Sequence, residues 1–166
     1  MGRYRAPAAP KSPYITRGGF ETLQTEEQAL WKKRREVVKH LSAAAAEGDR
    51  SENAEYIYRK KQLREMDRRI RYLQKRLPEL KVVDLKPDTD DQVFFGAWVS
   101  LSNEQAEEKR YRIVGADEFD PKKNWISIDS PMARALIKKS LDEIVVVELP
   151  GGKAEFEIID IGYQPD

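Results

Sequence analysis

Asp49, Glu52 and Glu55 stand three residues apart in the stretch EGDRSENAEY, residues 47–56. Carboxylates are hard oxygen donors of the kind a magnesium ion takes, and residues three apart on a helix share a face. Acids at the start of a helix also have a plainer use. Asp49 as N-cap with Glu52 at the third helical position has the spacing of a capping box, and acids in a first turn are favoured by the helix dipole. Spacing alone speaks for capping; the place of the acids in the chain speaks for chemistry.

That place follows from the flanking segments. From Thr16, which can cap a helix, Phe20, Leu23, Leu30, Val37, Leu41 and Ala44 fit one seam of alternating threes and fours, with Glu27 and Arg34 as polar interruptions, until Gly48 ends the pattern. A second seam runs through Tyr56, Leu63, Met66, Ile70, Leu73, Leu77 and Leu80, with Pro78 placed to stop or kink it. Two helices joined by a few residues pack antiparallel, so residues 16–80 are expected to form a coiled-coil hairpin with an acidic tip at 47–55. Thirty residues at ~1.5 Å each make an arm of about 45 Å. Carboxylates at such a tip are half a metal site, completed by a partner and its nucleic acid. In two-metal phosphodiester cleavage one ion activates water and the other stabilises the leaving oxygen.

Behind the tip, Lys60, Arg64, Arg68, Arg71 and Lys75 recur at steps of four, four, three and four, with Lys61 and Arg69 nearby. This is one cationic stripe down the second helix. It suits a phosphate backbone, or else a solvated face with intrahelical pairs such as Glu65–Arg69. Charge is divided along the chain in the same sense. Residues 1–86 hold 21 Lys and Arg against 12 Asp and Glu, +9; residues 87–166 hold 9 against 17, −8; together these give the net +1. Only the first part is expected to meet a polyanion.

The rest of the chain reads differently. Residues 1–15 carry three prolines and little apolar periodicity, which predicts a flexible basic arm. Residues 81–92 read as a linker. From Val93 the period changes to two, and VFFGAWVSL, KRYRIVGAD, WISI, EIVVVEL and AEFEIIDIGY read as strands. NEQAEE and PGGK are turns, and one helix begins with Ser130 as cap and Pro131 at its first position, followed by MARALIKK. Residues 93–166 are therefore expected to be a small domain with a mainly antiparallel sheet, and the chain to be α+β. Trp31 and Trp98 read as packing residues, His40 as surface, and Tyr56 as packing beneath the tip. Charged residues make up 36% of the chain and the mean hydropathy is −0.73, which suits a soluble protein. Without cysteine and with a single histidine, a Cys/His zinc site is excluded, and a reducing, cytoplasmic location is expected. No apolar run is long enough to span a membrane, and no secretory signal is read at the N-terminus.

GDRSENAEY resembles the tip of the Gre transcript cleavage factors, the GreA/GreB family, and SPMARALIKK resembles the signature of their C-terminal domain. The likeness runs from about Pro13 to Tyr163. KKQLREMDRRIRYL (60–73), VFFGAWV (93–99) and ISIDSPMARAL (126–136) place it nearest the GreB branch. The resemblance implies a coiled coil that enters the secondary channel of bacterial RNA polymerase. There its tip would help the polymerase cut backtracked RNA, so that elongation resumes. It puts the two catalytic acids at Asp49 and Glu52, sharing a Mg²⁺ with the polymerase. Glu55 falls on a third acidic position, with Arg50, Ser51 and Asn53 as auxiliary tip residues. Lys60, Lys61, Arg64, Arg68, Arg69 and Arg71 match a basic patch for the 3′ segment of the RNA. An FKBP-like C-terminal domain would dock at the channel rim through Asp129, Ser130, Pro131, Met132 and Arg134. The factor would act as a monomer, with no membrane and no stably bound cofactor of its own, and would not be an enzyme alone. Leu141–Asp142 stands where the family usually has Gly–Asp, which would alter a turn. Two other functions stay open. One is a secondary-channel regulator of initiation that does not cleave. The other is a peptidyl-prolyl isomerase or chaperone, which would need an aromatic-lined pocket in the C-terminal domain.

Overall fold

The structure is a computed structural model that describes residues 6–48, 53–84 and 86–164. It divides into two compact units: Met1–Gly19 with Lys81–Asp166, and Phe20–Leu80. The α+β expectation holds, with long helices in one unit and a sheet with one helix in the other.

In the helical unit, α1 (Arg17–Ala46) and α2 (Ala54–Arg76) form the hairpin. Leu23, Val37 and Ala44 of α1 and Met66, Ile70 and Leu73 of α2 are buried, which are seam positions of the periodic pattern. Two ion pairs cross the hairpin on positions the seam leaves polar. Arg34 Nε donates to Asp67 at 2.7 Å, and Arg69 grips Glu26 with two bonds of 2.6 and 2.9 Å. The predicted stop at Pro78 appears as a 3-10 turn, Leu77–Glu79, after α2. Gly48 ends the first helix as expected and adopts φ +136°, a conformation that L side chains resist.

The other unit is built on a five-stranded sheet of order β5-β4-β3-β7-β6. Its strands are β3 (Trp98–Asn103), β4 (Glu108–Val114), β5 (Trp125–Ser127), β6 (Ile144–Leu149) and β7 (Gly152–Gly162), all neighbours antiparallel except β4 and β5. Alternation sends Val99, Leu101, Val145 and Val147 inward, where α3 (Pro131–Leu136) covers them with Ala133 and Leu136. Ser130 caps α3 by accepting from Ala133 N at 3.2 Å. The helix is shorter than MARALIKK suggests, because the chain beyond Leu136 pairs elsewhere. Lys138 N donates to Val93 O and Val93 N to Lys139 O, at 2.7 and 2.8 Å. The left-handed position of the next turn falls on Asp142 (φ +67°), so Leu141 in place of glycine meets no backbone penalty.

The arm and linker readings need correction. Tyr14–Ile15 is a strand, β1, that pairs in parallel with β2, Lys81–Val82. Ile15 is fully buried. Thr16 N and Oγ1 donate to Glu118 at 2.8 and 2.5 Å, and Thr16 Oγ1 in turn accepts from Gly19 N, capping α1 as predicted. Ser12 N donates to Asp129 Oδ2 at 2.9 Å, and its hydroxyl donates to Oδ1. Lys11 pairs with Asp117 at 3.7 Å. Residues 11–16 are thus a strap folded onto the sheet unit, and residues 6–10 before it are exposed without an element. The segment has too few apolar residues to announce a strand. Two carboxylates more than 100 positions away decide its fate.

Candidate tip and nucleic-acid face

Asp49, Arg50, Ser51 and Glu52 lie outside the described residues, so their placement at the tip rests on sequence. The residues on either side are described. α2 begins after Asn53, whose Oδ1 accepts from Tyr56 N at 3.1 Å. Its Nδ2 donates to Ala44 O at 2.7 Å, in the last turn of α1. One side chain thus satisfies a donor at the start of one helix and an acceptor at the end of the other. The capping-box expectation is overturned, since the N-cap of α2 is Asn53 and not Asp49. Asn53 wins because an amide both accepts and donates, which a carboxylate cannot do. It is therefore a structural staple between the two helix ends. Of the three acids, only Glu55 is on α2, and its carboxylate accepts from Arg59 Nε at 2.8 Å.

The cationic stripe stands in part. At about 100° of rotation per residue, Lys60, Arg64, Arg68, Arg71 and Lys75 fall within an arc of about 80° on α2, with Lys61 about 20° beyond it. All six are exposed. Among the described residues no salt bridge joins Lys61, Arg64, Arg68 or Lys75 to a carboxylate. Lys60 lies 5.8 Å from the Tyr56 ring centroid. Arg69, expected near the stripe, lies apart from it. It points about 100° further round the helix and is held by Glu26, so the patch loses one expected member.

Trp31, read as a packing residue, is instead 40% exposed. The run WKKRRE should have drawn notice, since it sets cations beside an aromatic on α1. Trp98 lies half-buried beneath the Arg110 guanidinium, 4.4 Å from its ring centroid, and His40 is at the surface.

In the sheet unit, the docking set divides. Asp129 holds Ser12, Ser130 caps α3, and Met132 packs on the core, which leaves Pro131 and Arg134 exposed. Beside Ser130, Tyr111, Phe119, Pro121, Trp125 and Ile126 line an apolar pocket of about 360 Å³. Among the described residues no three His, Asp or Glu side chains gather as metal ligands. No helix among them is long and apolar enough to cross a membrane.

The family model described as "Transcription elongation factor, N-terminal" matches residues 13–82, and "Transcription elongation factor, GreA/GreB, C-term" matches residues 87–163. "Transcription elongation factor GreB" of Yersinia pestis is 58% identical over 156 residues, 93% of this chain and 91% of that protein. The protein of the same description from Pasteurella multocida is 59% identical over 155 residues, 93% of this chain and 98% of the relative. That from Pseudomonas aeruginosa is 52% identical over 166 residues, 99% of each. With both halves matched and relatives this similar over nearly their whole length, the chain belongs to the GreA/GreB family of transcription elongation factors.

Proposed function

We propose that this chain is a transcript cleavage factor of the GreB kind. Its hairpin enters the secondary channel of a bacterial RNA polymerase and presents Asp49 and Glu52 to the polymerase's active site, where backtracked RNA is cut. The factor is not an enzyme alone. The observation that carries this reading is the cap of α2: Asn53 does the capping that would otherwise account for Asp49 and Glu52. The N-cap of α2 therefore does not call on Asp49 or Glu52.

Two carboxylates suit Mg²⁺ in donor type but not in number, since the ion prefers about six oxygens. Asp49 and Glu52 would hold it together with groups of the polymerase and the RNA. Held there, the ion would activate the attacking water, while the polymerase's own ion stabilises the leaving oxygen. The chain's own part is positional. Asn53 ties the two helix ends that carry the tip, and the stripe from Lys60 to Lys75 offers cations to the phosphates of the extruded 3′ segment. In the sheet unit, Pro131, Arg134 and the pocket beside Ser130 are the surface available for docking at the channel rim.

The test is RNA cleavage in a stalled, backtracked elongation complex with Mg²⁺, comparing the native protein with Asp49→Asn/Glu52→Gln. Only the native protein is expected to shorten the RNA from its 3′ end, while both bind polymerase equally. If neither or both cleave, the non-cleaving regulator becomes the better reading. The aromatic pocket is the one observation in favour of a peptidyl-prolyl isomerase. A proline-peptide assay without rate enhancement disposes of that reading.

A further inference from the structure

Trp31 is a large aromatic ring left 40% exposed on α1, and Lys32, Lys33, Arg34 and Arg35 follow it in the chain. Arg34, one turn on, sits 6.0 Å from the ring centroid. Asp67 of α2 holds that same guanidinium at 2.7 Å, which also keeps the Arg34 pKa above its ordinary value. Trp31 therefore lies on the side of the hairpin where Arg34 and Asp67 bridge the helices. On α2, Arg64 stands three residues before Asp67 and Arg71 four after it, and Arg71 Nε reaches Asp67 O at 3.4 Å. The two arginines that flank the bridge belong to the cationic stripe. Arg35, one turn from Trp31 on α1, extends the cationic surround. An exposed ring set among cations that track a phosphate backbone is how single-stranded nucleic acid is bound without regard to sequence.

We infer that Trp31 is a stacking platform for a base of the extruded RNA strand, working beside Arg64 and Arg71. The inference rests on the cleavage reading above and adds the holding of a base to the holding of phosphates. Trp31 lies 15 residues from Ala46, about 22 Å back along the hairpin. At about 3.4 Å per stacked nucleotide, six or seven extruded nucleotides are needed to reach it. Trp31 thus matters for deeply backtracked complexes and not for shallow ones.

The experiment compares the native protein, Trp31→Phe and Trp31→Ala on complexes backtracked by about ten nucleotides and by two. On the deep complexes Trp31→Ala is expected to cleave roughly tenfold more slowly, and Trp31→Phe to keep most of the rate. On shallow complexes all three should be equal. Replacing the extruded nucleotides by abasic ribose should erase the difference. An equal loss on both complexes, or a loss that persists with abasic RNA, overturns the inference in favour of a packing or polymerase-binding role. A second measurement does not depend on cleavage. Oligouridylate should quench the fluorescence of the native protein more than that of Trp31→Phe, and an abasic oligomer should not. If the native protein cleaves nothing yet this quench appears, the cleavage reading falls and the stacking site stands. If the quench is the same in both proteins, the stacking site falls.

Discussion

Replacing Asn53 by alanine removes both bonds of the staple, and its cost follows from them. Losing an N-cap side chain costs about 1 kcal/mol, and losing the bond to Ala44 O about another 1 kcal/mol. Opening of the hairpin's end should become easier by about 2 kcal/mol, roughly a 30-fold change in the local equilibrium. Asn53→Asp separates the two bonds. Aspartate still accepts from Tyr56 N but cannot donate to Ala44 O, so about half the loss is expected. Amide hydrogen exchange reads this residue by residue. Protection at Tyr56 and Ile57 should fall about 30-fold in Asn53→Ala and about five-fold in Asn53→Asp. Leu73, fully buried in the seam, should not change. Stimulated cleavage should fall in the same order, with polymerase affinity unchanged. Equal protection of Tyr56 in all three proteins would refute the staple. A uniform loss that includes Leu73 would show that the residue supports the hairpin as a whole.

Three further perturbations probe the strap, the stripe and the half-buried phenol of Tyr163. Glu118→Gln should destabilise the sheet unit by about 2 kcal/mol, read by urea unfolding, because Glu118 accepts from Thr16 N, Thr16 Oγ1 and Gly115 N. Neutralising Arg64 and Arg68 together should weaken binding of single-stranded RNA and lower its salt dependence, by about one unit of slope for each phosphate no longer neutralised. An unchanged salt response would remove the stripe from the RNA path. Tyr163 donates to Gln92 O at 2.6 Å and accepts from Phe94 N at 2.9 Å. Burial pushes its phenol above the ordinary value, partly opposed by the Phe94 bond and assisted by Asp90. The neutral form is thus favoured in the fold. This stability is fully present below the unfolded value, near 10, and is lost as pH rises through the folded one. Thermal unfolding of the native protein should show this alkaline loss, and Tyr163→Phe should not.

Much of the hairpin was legible because a seam is a local property. Leu23, Val37, Met66, Ile70 and Leu73 are buried where the alternating threes and fours put them. The strands were legible for the same reason, since alternation over a few residues sets which face is buried. The site was legible in composition and not in role. The cations of the stripe are exposed where their spacing places them, but nothing local says that Arg69 faces Glu26. Nor does it say that Asn53 rather than Asp49 begins α2. DRSEN offers several side chains able to cap, and the choice falls to the one that can also reach Ala44 O on the other helix.

What the sequence by itself determined is therefore the set of elements and the order of charge along them: two long amphipathic helices, a cationic stripe behind acidic residues, and a domain of alternating strands. Periodicity and propensity act within a few residues and need no partner. What only the tertiary structure decided are the assignments that depend on distant partners. Residues 11–16 become a strap because Glu118 and Asp129 receive their donors. α3 stops at Leu136 because Val93 takes up the chain that follows. Arg34, beside the Trp31 ring, bridges to α2 because Asp67 receives its guanidinium. In each case a polar group met a partner many positions away, and no window along the chain contains both.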